Sequence, residues 1–305
     1  MIEDEGGGRF GFSALLVGSV RVIMSTFIES SQLLDIARKA ALTVGEPLRM
    51  AFRTPMDYEY KRDLHDIVTI HDRASEERIR SIIFSEIPDS TFVGEEGGKE
   101  GDGAVVWYVD PIDGTSNFAS GIAHWCVSIA AAVEGELVAG VIFDPIAGNL
   151  FSADLGGARL NDVPIMCRAR VDEGKAVLLT GFPNARHVRD VGDRAFGAQA
   201  ELLDSCHAVR NLGSGALHLA HLAAGWADAT MGLSTNPWDV AAGILILRQA
   251  GGRFVGLDNG RMLEPAFLAP DYFAHGGEAA YPTLERVTYA LSAREAAPKQ
   301  REIAG

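Results

Sequence analysis

Two aspartates three positions apart close an apolar stretch of this chain, Trp107-Tyr108-Val109-Asp110-Pro111-Ile112-Asp113-Gly114-Thr115. The run from Ala104 to Val109 reads as a buried strand. A strand ending this way can point both carboxylates and the Ile112 carbonyl into one small volume. The amides of Gly114 and Thr115 then open a helix. Oxygen ligands of this kind suit a hard cation, and backbone donors at a helix start suit a phosphate. Read alone, the same residues also describe a tight turn with an N-cap, because Asp-Pro and Asp-Gly are ordinary turn signals.

Three other segments carry acidic residues in comparable settings. Phe92-Val93-Gly94-Glu95-Glu96-Gly97-Gly98 puts adjacent glutamates in a glycine-rich turn after a helical stretch. Asp66-Ile67-Val68-Thr69-Ile70-His71-Asp72 ends a short alternating strand in an aspartate. Asn236-Pro237-Trp238-Asp239-Val240-Ala241-Ala242-Gly243 places another at the start of an apolar helix. Each has an ordinary explanation: Asp72 and Asp239 as helix caps, Glu95-Glu96 as a solvated loop. Capping does not account for all four together.

Taken in order, Gly94-Glu95-Glu96, Asp110 through Phe118, and Pro237 through Gly243 with Ala250-Gly251-Gly252 resemble the inositol monophosphatase family of magnesium-dependent, lithium-sensitive phosphatases. Lys61 through Asp72 and Gly213-Ser214-Gly215 also fit, so the resemblance spans about residues 30 to 265. It implies an α/β (α+β) fold, a layered αβαβα sandwich, and a homodimer. It also implies that Glu95, Asp110 and the Ile112 carbonyl hold one Mg2+, and that Asp110, Asp113 and Asp239 hold a second. Asp72 and Glu95 contribute to a weaker third site or orient the attacking water, and Glu96 supports its loop.

The residues themselves fit such chemistry. Hydrolysis of a phosphate monoester needs an activated water, neutralised phosphoryl oxygens and a stabilised leaving alkoxide, which two or three divalent cations about 4 Å apart supply. Ligands that are all oxygen favour magnesium over zinc. The Thr115 hydroxyl is placed to bond the attacking water while Asp72 accepts from it, so Glu95, Asp72 and Thr115 are the expected catalytic residues. The expected substrate contacts are Asp113, Gly114, Thr115, Ser214, Gly215, Arg210 and Lys61. His218 and His221 have helical spacing but no carboxylate partner nearby in sequence, which disfavours zinc. Gly213-Ser214-Gly215 lacks the full nucleophile-elbow pattern, which disfavours a serine hydrolase.

A formal charge of -14 with no basic run to offset it argues against nucleic acid as a partner. It also means that clustered carboxylates would repel a phosphate unless cations lie between them. The three cysteines, Cys126, Cys167 and Cys206, are widely separated and read as small buried residues in a reducing compartment, hence cytoplasmic. Residues 12 to 27 are apolar but broken by Arg21, and no basic leader or long apolar span supports a secretion signal or a membrane helix.

The elements that must position these residues follow from periodicity. Helices are expected over 30–52, 75–85, 192–203, 214–224 and 240–250. Strands are expected over 66–70, 125–133, 136–144, 149–153, 176–180, 208–211, 227–231 and 253–255, with a hairpin at Glu134-Gly135. The division expected is a poorly ordered extension at 1–28, an α+β domain at 29–167, an α/β domain at 168–290 and a frayed tail at 291–305. Asp239 would then join the other ligands across the domain junction.

For the substrate, the resemblance points first to inositol 1-phosphate, with histidinol phosphate, fructose 1,6-bisphosphate and 3'-phosphoadenosine phosphate as alternatives. The family's inositol-binding members place a glutamate where this chain has Gly232. The small polar residues Ser234, Thr235 and Asn236 are left to meet a polyol. A non-catalytic sugar-phosphate sensor on the same scaffold is the reading from another class.

Overall fold

The computed structural model describes residues 12–61 and 67–293, with the backbone alone for 12–29. Helix α1 (Phe12–Ala51) leads to the paired strands β1 (Tyr58–Tyr60) and β2 (Ile67–Thr69), helix α2 (Ile70–Glu86), and strands β3 (Ser90–Gly94) and β4 (Gly98–Glu100). Strand β5 (Val105–Asp113) and the short helix α3 (Thr115–Ser120) follow. A meander of β6 (Cys126–Val133), β7 (Glu136–Asp144), β8 (Asn149–Asp154), β9 (Gly157–Leu160) and β10 (Val163–Pro164) completes an eight-stranded sheet of order β10-β9-β8-β7-β6-β5-β3-β4. Only β3 and β5 run parallel in it.

The second half opens with β11 (Val177–Thr180), α4 (Ala185–Val191), α5 (Arg194–Ser205), β12 (Ala208–Asn211) and α6 (Gly215–Ala223). It continues with β13 (Ala229–Gly232), α7 (Pro237–Gln249), β14 (Arg253–Asp258), β15 (Arg261–Met262), β16 (Asp271–His275) and α8 (Pro282–Ser292). Its six-stranded sheet has the order β12-β11-β13-β16-β14-β15, parallel over the first three strands.

Burial alternates along β5, as the twofold period of a strand requires. Trp107 and Val109 face α1 and α2 through Ala37, Ala40, Ile79 and Ile83, while Tyr108 packs on the opposite face. That face meets α6 and α7. Helix α7 is apolar all round because it lies between the two sheets, buried from Val240 to Leu247. It approaches α6 so closely that a Cβ on Gly243 would stand 2.6 Å from that of Leu219. Helices α5 and α8 cover the far side of the second sheet. The layers are therefore α, β, α, β, α. No helix among the described residues is long and apolar enough to cross a membrane.

Several boundaries differ from the sequence reading. The helix expected from residue 75 begins at Ile70, because Thr69 and Asp72 form a capping box that starts it earlier. The glutamate turn does not follow the helix directly, since β3 intervenes and pairs with β5. The helix expected at 192–203 is α5, preceded by a separate α4. Strand β16 and helix α8 were not anticipated. Of the extension expected at 1–28, residues 1–11 lie outside the described residues, and the backbone of 12–28 belongs to α1, which begins well before the helix start expected at 30. Asp66 and the tail beyond residue 293 also lie outside the described residues.

Candidate active site

On a regular strand, residues three apart point to opposite faces. The β5–β6 register shifts between Asp110, opposite Ser128, and Asp113, opposite Cys126. The extra residue on β5 reverses the phase and turns both aspartates to the same side. Asp110 Oδ1 accepts from the Ile112 amide at 2.9 Å, which fixes its orientation. Gly114 then turns the chain at φ +96°, and a Cβ there would crowd the His124 and Gly213 carbonyl oxygens at 3.1 and 3.2 Å.

Thr115 opens α3 beside Asp72. Its hydroxyl lies 3.1 Å from Asp72 Oδ1 and 3.0 Å from the Ile112 carbonyl oxygen, so its single proton serves one of them at a time. Asp72 is buried, and its other oxygen accepts from the Thr69 amide at 2.8 Å and the Thr69 hydroxyl at 2.6 Å. Asp239 repeats the pattern in the second half of the chain. It is the third residue of α7, and its Oδ2 accepts from the Asn236 amide at 2.7 Å. Capping and convergence are thus the same fact for both aspartates.

Asp113 is gripped from across the junction, its Oδ2 accepting from the Ser214 hydroxyl and from the Ala216 amide at 2.8 Å. Asn117 ties the same junction, donating to the His124 and Leu212 carbonyls at 2.7 Å each. Glu95 and Glu96 sit on the other flank. Lys61 Nζ donates to Glu95 Oε1 at 2.9 Å and also to Glu96. The placement of Lys61 is that of a counter-ion to these two glutamates. Burial pulls its ammonium down, but the glutamates outweigh burial and hold it above the usual lysine range.

The acids repel one another in a dry setting. Burial first, then the charges of Glu95, Asp113 and Asp239, push Asp110 well above the usual carboxylate range. Burial raises Asp113 to about 6 against the bonds from Ser214 and Ala216, and Asp239 to about 8 with Asp113 and Glu95 adding to it. Glu96 is raised to about 7, also chiefly by burial. Such a cluster calls for positive charge in its midst. Its donors are all oxygen, the set a hard cation takes. Among the described residues no three acidic, histidine or cysteine side chains already stand in ligand geometry, so the carboxylates would have to close on a cation.

The inositol monophosphatase family model matches residues 29–298. The chain belongs to the inositol monophosphatase family. A relative named Nus factor SuhB from Pasteurella multocida is 38% identical over 75% of this chain and 86% of its own length. The crystal structure of extragenic suppressor protein suhB from Bartonella henselae superposes with a TM-score of 0.77 at 31% identity, covering 84% of this chain and 98% of that one. An inositol monophosphatase from Anabaena gives 0.71 at 32%, covering 87% and 97%.

Beside the acids lies a cavity of roughly 330 Å³ that Ser214 and Gly215 help to line. Arg210, an expected contact, is exposed; its guanidinium donates to the Val209 carbonyl at 3.0 Å, and it is not among the cavity's lining residues. The sequence reading missed Glu76, whose buried carboxylate accepts from the Glu96 amide at 2.8 Å and the Gly97 amide at 2.5 Å. Its position on the apolar stripe of α2 with Ile79 and Ile83 could have revealed it, because an acid on a buried face requires donors. Glu76→Ala is expected to free the glutamate turn and lower the melting temperature by about 5 °C, the effect of losing a buried charge-assisted pair of bonds. Thermal denaturation monitored by circular dichroism checks it.

Proposed function

We propose that this member of the inositol monophosphatase family is a phosphatase that hydrolyses a small phosphate monoester, inositol 1-phosphate foremost, by direct attack of water on phosphorus. The observation that carries this reading is the set of mutually repelling acids, Glu95, Asp110, Asp113 and Asp239, gathered beside Asp72 and Thr115. Two or three Mg2+ held by these acids and the Ile112 carbonyl would supply an acidified water and neutralise the phosphoryl charge.

The chain's own groups do the rest. The Thr115 hydroxyl orients the attacking water, and Asp72, with one oxygen occupied by Thr69, offers the other to Thr115. The amides of Gly114 and Thr115 bind phosphate oxygens at the start of α3. Ser214 and the Ala216 amide keep Asp113 turned inward, and the alcohol enters the adjacent cavity. The bond from water oxygen to phosphorus forms as the ester bond breaks; the attacking water releases one proton to solvent, and the departing alkoxide takes one up from solvent.

A phosphate-release screen with and without magnesium tests this over inositol 1-phosphate, histidinol phosphate, fructose 1,6-bisphosphate and 3'-phosphoadenosine phosphate. Steady release of phosphate from at least one ester, dependent on the metal, is expected. The relatives named Nus factor SuhB favour a second reading, in which the chain also or instead serves as a Nus factor. Binding of a phosphate ester without turnover would select instead the non-catalytic sugar-phosphate sensor. The charge argument against nucleic acid has no counterpart in the relatives' names. We propose a cytoplasmic homodimer, as the resemblance and the free cysteines suggest.

A further inference from the structure

Asp110 and Asp239 belong to different halves of the chain, and one buried hydroxyl links the elements that carry them. Strand β6 sets Cys126, Ser128 and Ala130 opposite Asp113, Asp110 and Tyr108 of β5. Residues two apart on a strand share a face, and residues directly opposite share it too. This face meets α6 and α7, because Cys126, Ala130 and Tyr108 pack there with Val240, Ala241 and Ala242. Each aspartate of β5 thus has a neighbour on β6 that touches the second half. Cys126 Sγ stands 3.8 Å from both Asp113 Oδ2 and Ser214 Oγ. Ser128 is buried, and its hydroxyl donates at 3.2 Å to the carbonyl of Trp238, the residue before Asp239.

That bond does what the surrounding packing does not. Helix α7 lies on the sheet through small residues: a Cβ on Gly140, opposite Ala130 in the β6–β7 register, would stand 3.0 Å from the Ala242 carbonyl oxygen. Apolar contacts are non-directional, so they hold the helix on the sheet without fixing how far it slides along it. A hydrogen bond has a preferred length and direction. A carbonyl oxygen has two lone pairs, so that of Trp238 can serve the ladder of α7 while it accepts from Ser128. Removing the Ser128 hydroxyl therefore orphans no backbone group. It frees the first turn of α7, with Asp239, to shift against β5 and β6. The hydroxyl of Ser152 on β8 is a contrast, equally buried but without a hydrogen-bond partner among the described residues.

We infer that Ser128 is a positioning residue for the cation shared by Asp110 and Asp239: its bond to the Trp238 carbonyl sets the separation of the two carboxylates across the junction. This deepens the phosphatase reading and rests on it for the cation. Removing a group that orients a metal's ligands costs about ten- to a hundredfold in metal affinity. Ser128 acts through the backbone of α7, which puts its effect at the lower end of that range.

The test is calorimetric titration of the cation-free protein with Mg2+ in the intact chain, in Ser128→Ala and in Ser152→Ala. Ser128→Ala is expected to raise the Mg2+ Kd about tenfold. Ser152→Ala, which removes a hydroxyl that bonds to nothing, should leave it within about twofold. At saturating Mg2+ the Ser128→Ala protein should recover kcat to within about threefold with KM for the ester unchanged, because both carboxylates are then held by the cation's charge. A Kd unchanged in Ser128→Ala, or raised equally in Ser152→Ala, overturns the inference. If Ser128→Ala does not fold, Ser128→Cys keeps the volume with a weaker donor and is expected to raise Kd in the same direction. If the intact chain takes up no Mg2+, the metal-dependent reading has failed and the inference falls with it. An intact chain that binds Mg2+ as tightly as its Ser128→Ala variant sinks the inference alone.

Discussion

Asp110→Asn is expected to abolish magnesium-dependent phosphate release, by at least about a thousandfold, while the protein remains folded. Asparagine has the shape of aspartate and keeps an oxygen to accept from the Ile112 amide, so the bulge that ends β5 has no reason to open. What disappears is the charge at the centre of the acidic cluster. Asp110 is the group that Glu95, Asp113 and Asp239 all repel, so it is the point at which a cation would relieve the most repulsion. Without cation, the variant should melt higher than the original, because a buried repulsion is removed. Activity and melting temperature then move in opposite directions, which a packing defect would not produce. Asp239→Asn should behave alike, its Oδ2 bond to the Asn236 amide being reproducible by the asparagine oxygen. A loss of less than about tenfold in either variant would sink the proposed chemistry.

Much of the layered fold was legible because periodicity and burial coincide where packing is dense. The hairpin of β6 and β7 was placed within a residue, since both strands are buried on two faces and Glu134-Gly135 is a strong turn. Helix α7 declared itself through an apolar run that no exposed helix would carry. Strand β16 did not. Its sequence, Asp271 to His275, mixes charged and aromatic residues, and the sheet on either side of it makes it a strand. The start of α2 was misplaced for a related reason: Thr69 and Asp72 lie ahead of Ile79, the first apolar residue of its buried face, and Ile70 at the helix start is exposed.

The site was legible in its acids and less so in what surrounds them. Asp-Pro-Ile-Asp-Gly-Thr states its own geometry, because the bulge, the left-handed glycine and the helix start lie within a few residues. Lys61 and Arg210 carry no such local statement. A cation on a long side chain can turn to a substrate or to the nearest carboxylate, and only the tertiary structure shows Lys61 on Glu95 and Glu96.

The cation-free protein should lose stability as pH rises from about 6 to 8, the reverse of an ordinary acidic protein leaving its acid-denatured range. The sign follows from the folded-state values. Asp113 near 6, Glu96 near 7 and Asp239 near 8 all lie above the usual carboxylate range. Between that range and those values the folded protein holds protons that the unfolded chain has released. Stability from these groups is therefore present at low pH and lost as pH climbs through each folded value. Buried histidines set the opposite limit: His218 near 3 and His221 near 4 stay neutral when unfolded imidazole takes a proton, so stability also falls below about pH 6.5. The melting temperature without cation should peak between these limits and drop on the order of 5 °C by pH 8. Magnesium replaces the protons that the acids would otherwise need, so its stabilising effect should grow with pH and be accompanied by proton release. Differential scanning calorimetry at pH 6, 7 and 8, with chelator and with magnesium, measures both. A magnesium effect that is flat across this range, or largest at pH 6, would mean that the cation is not bound by the raised carboxylates.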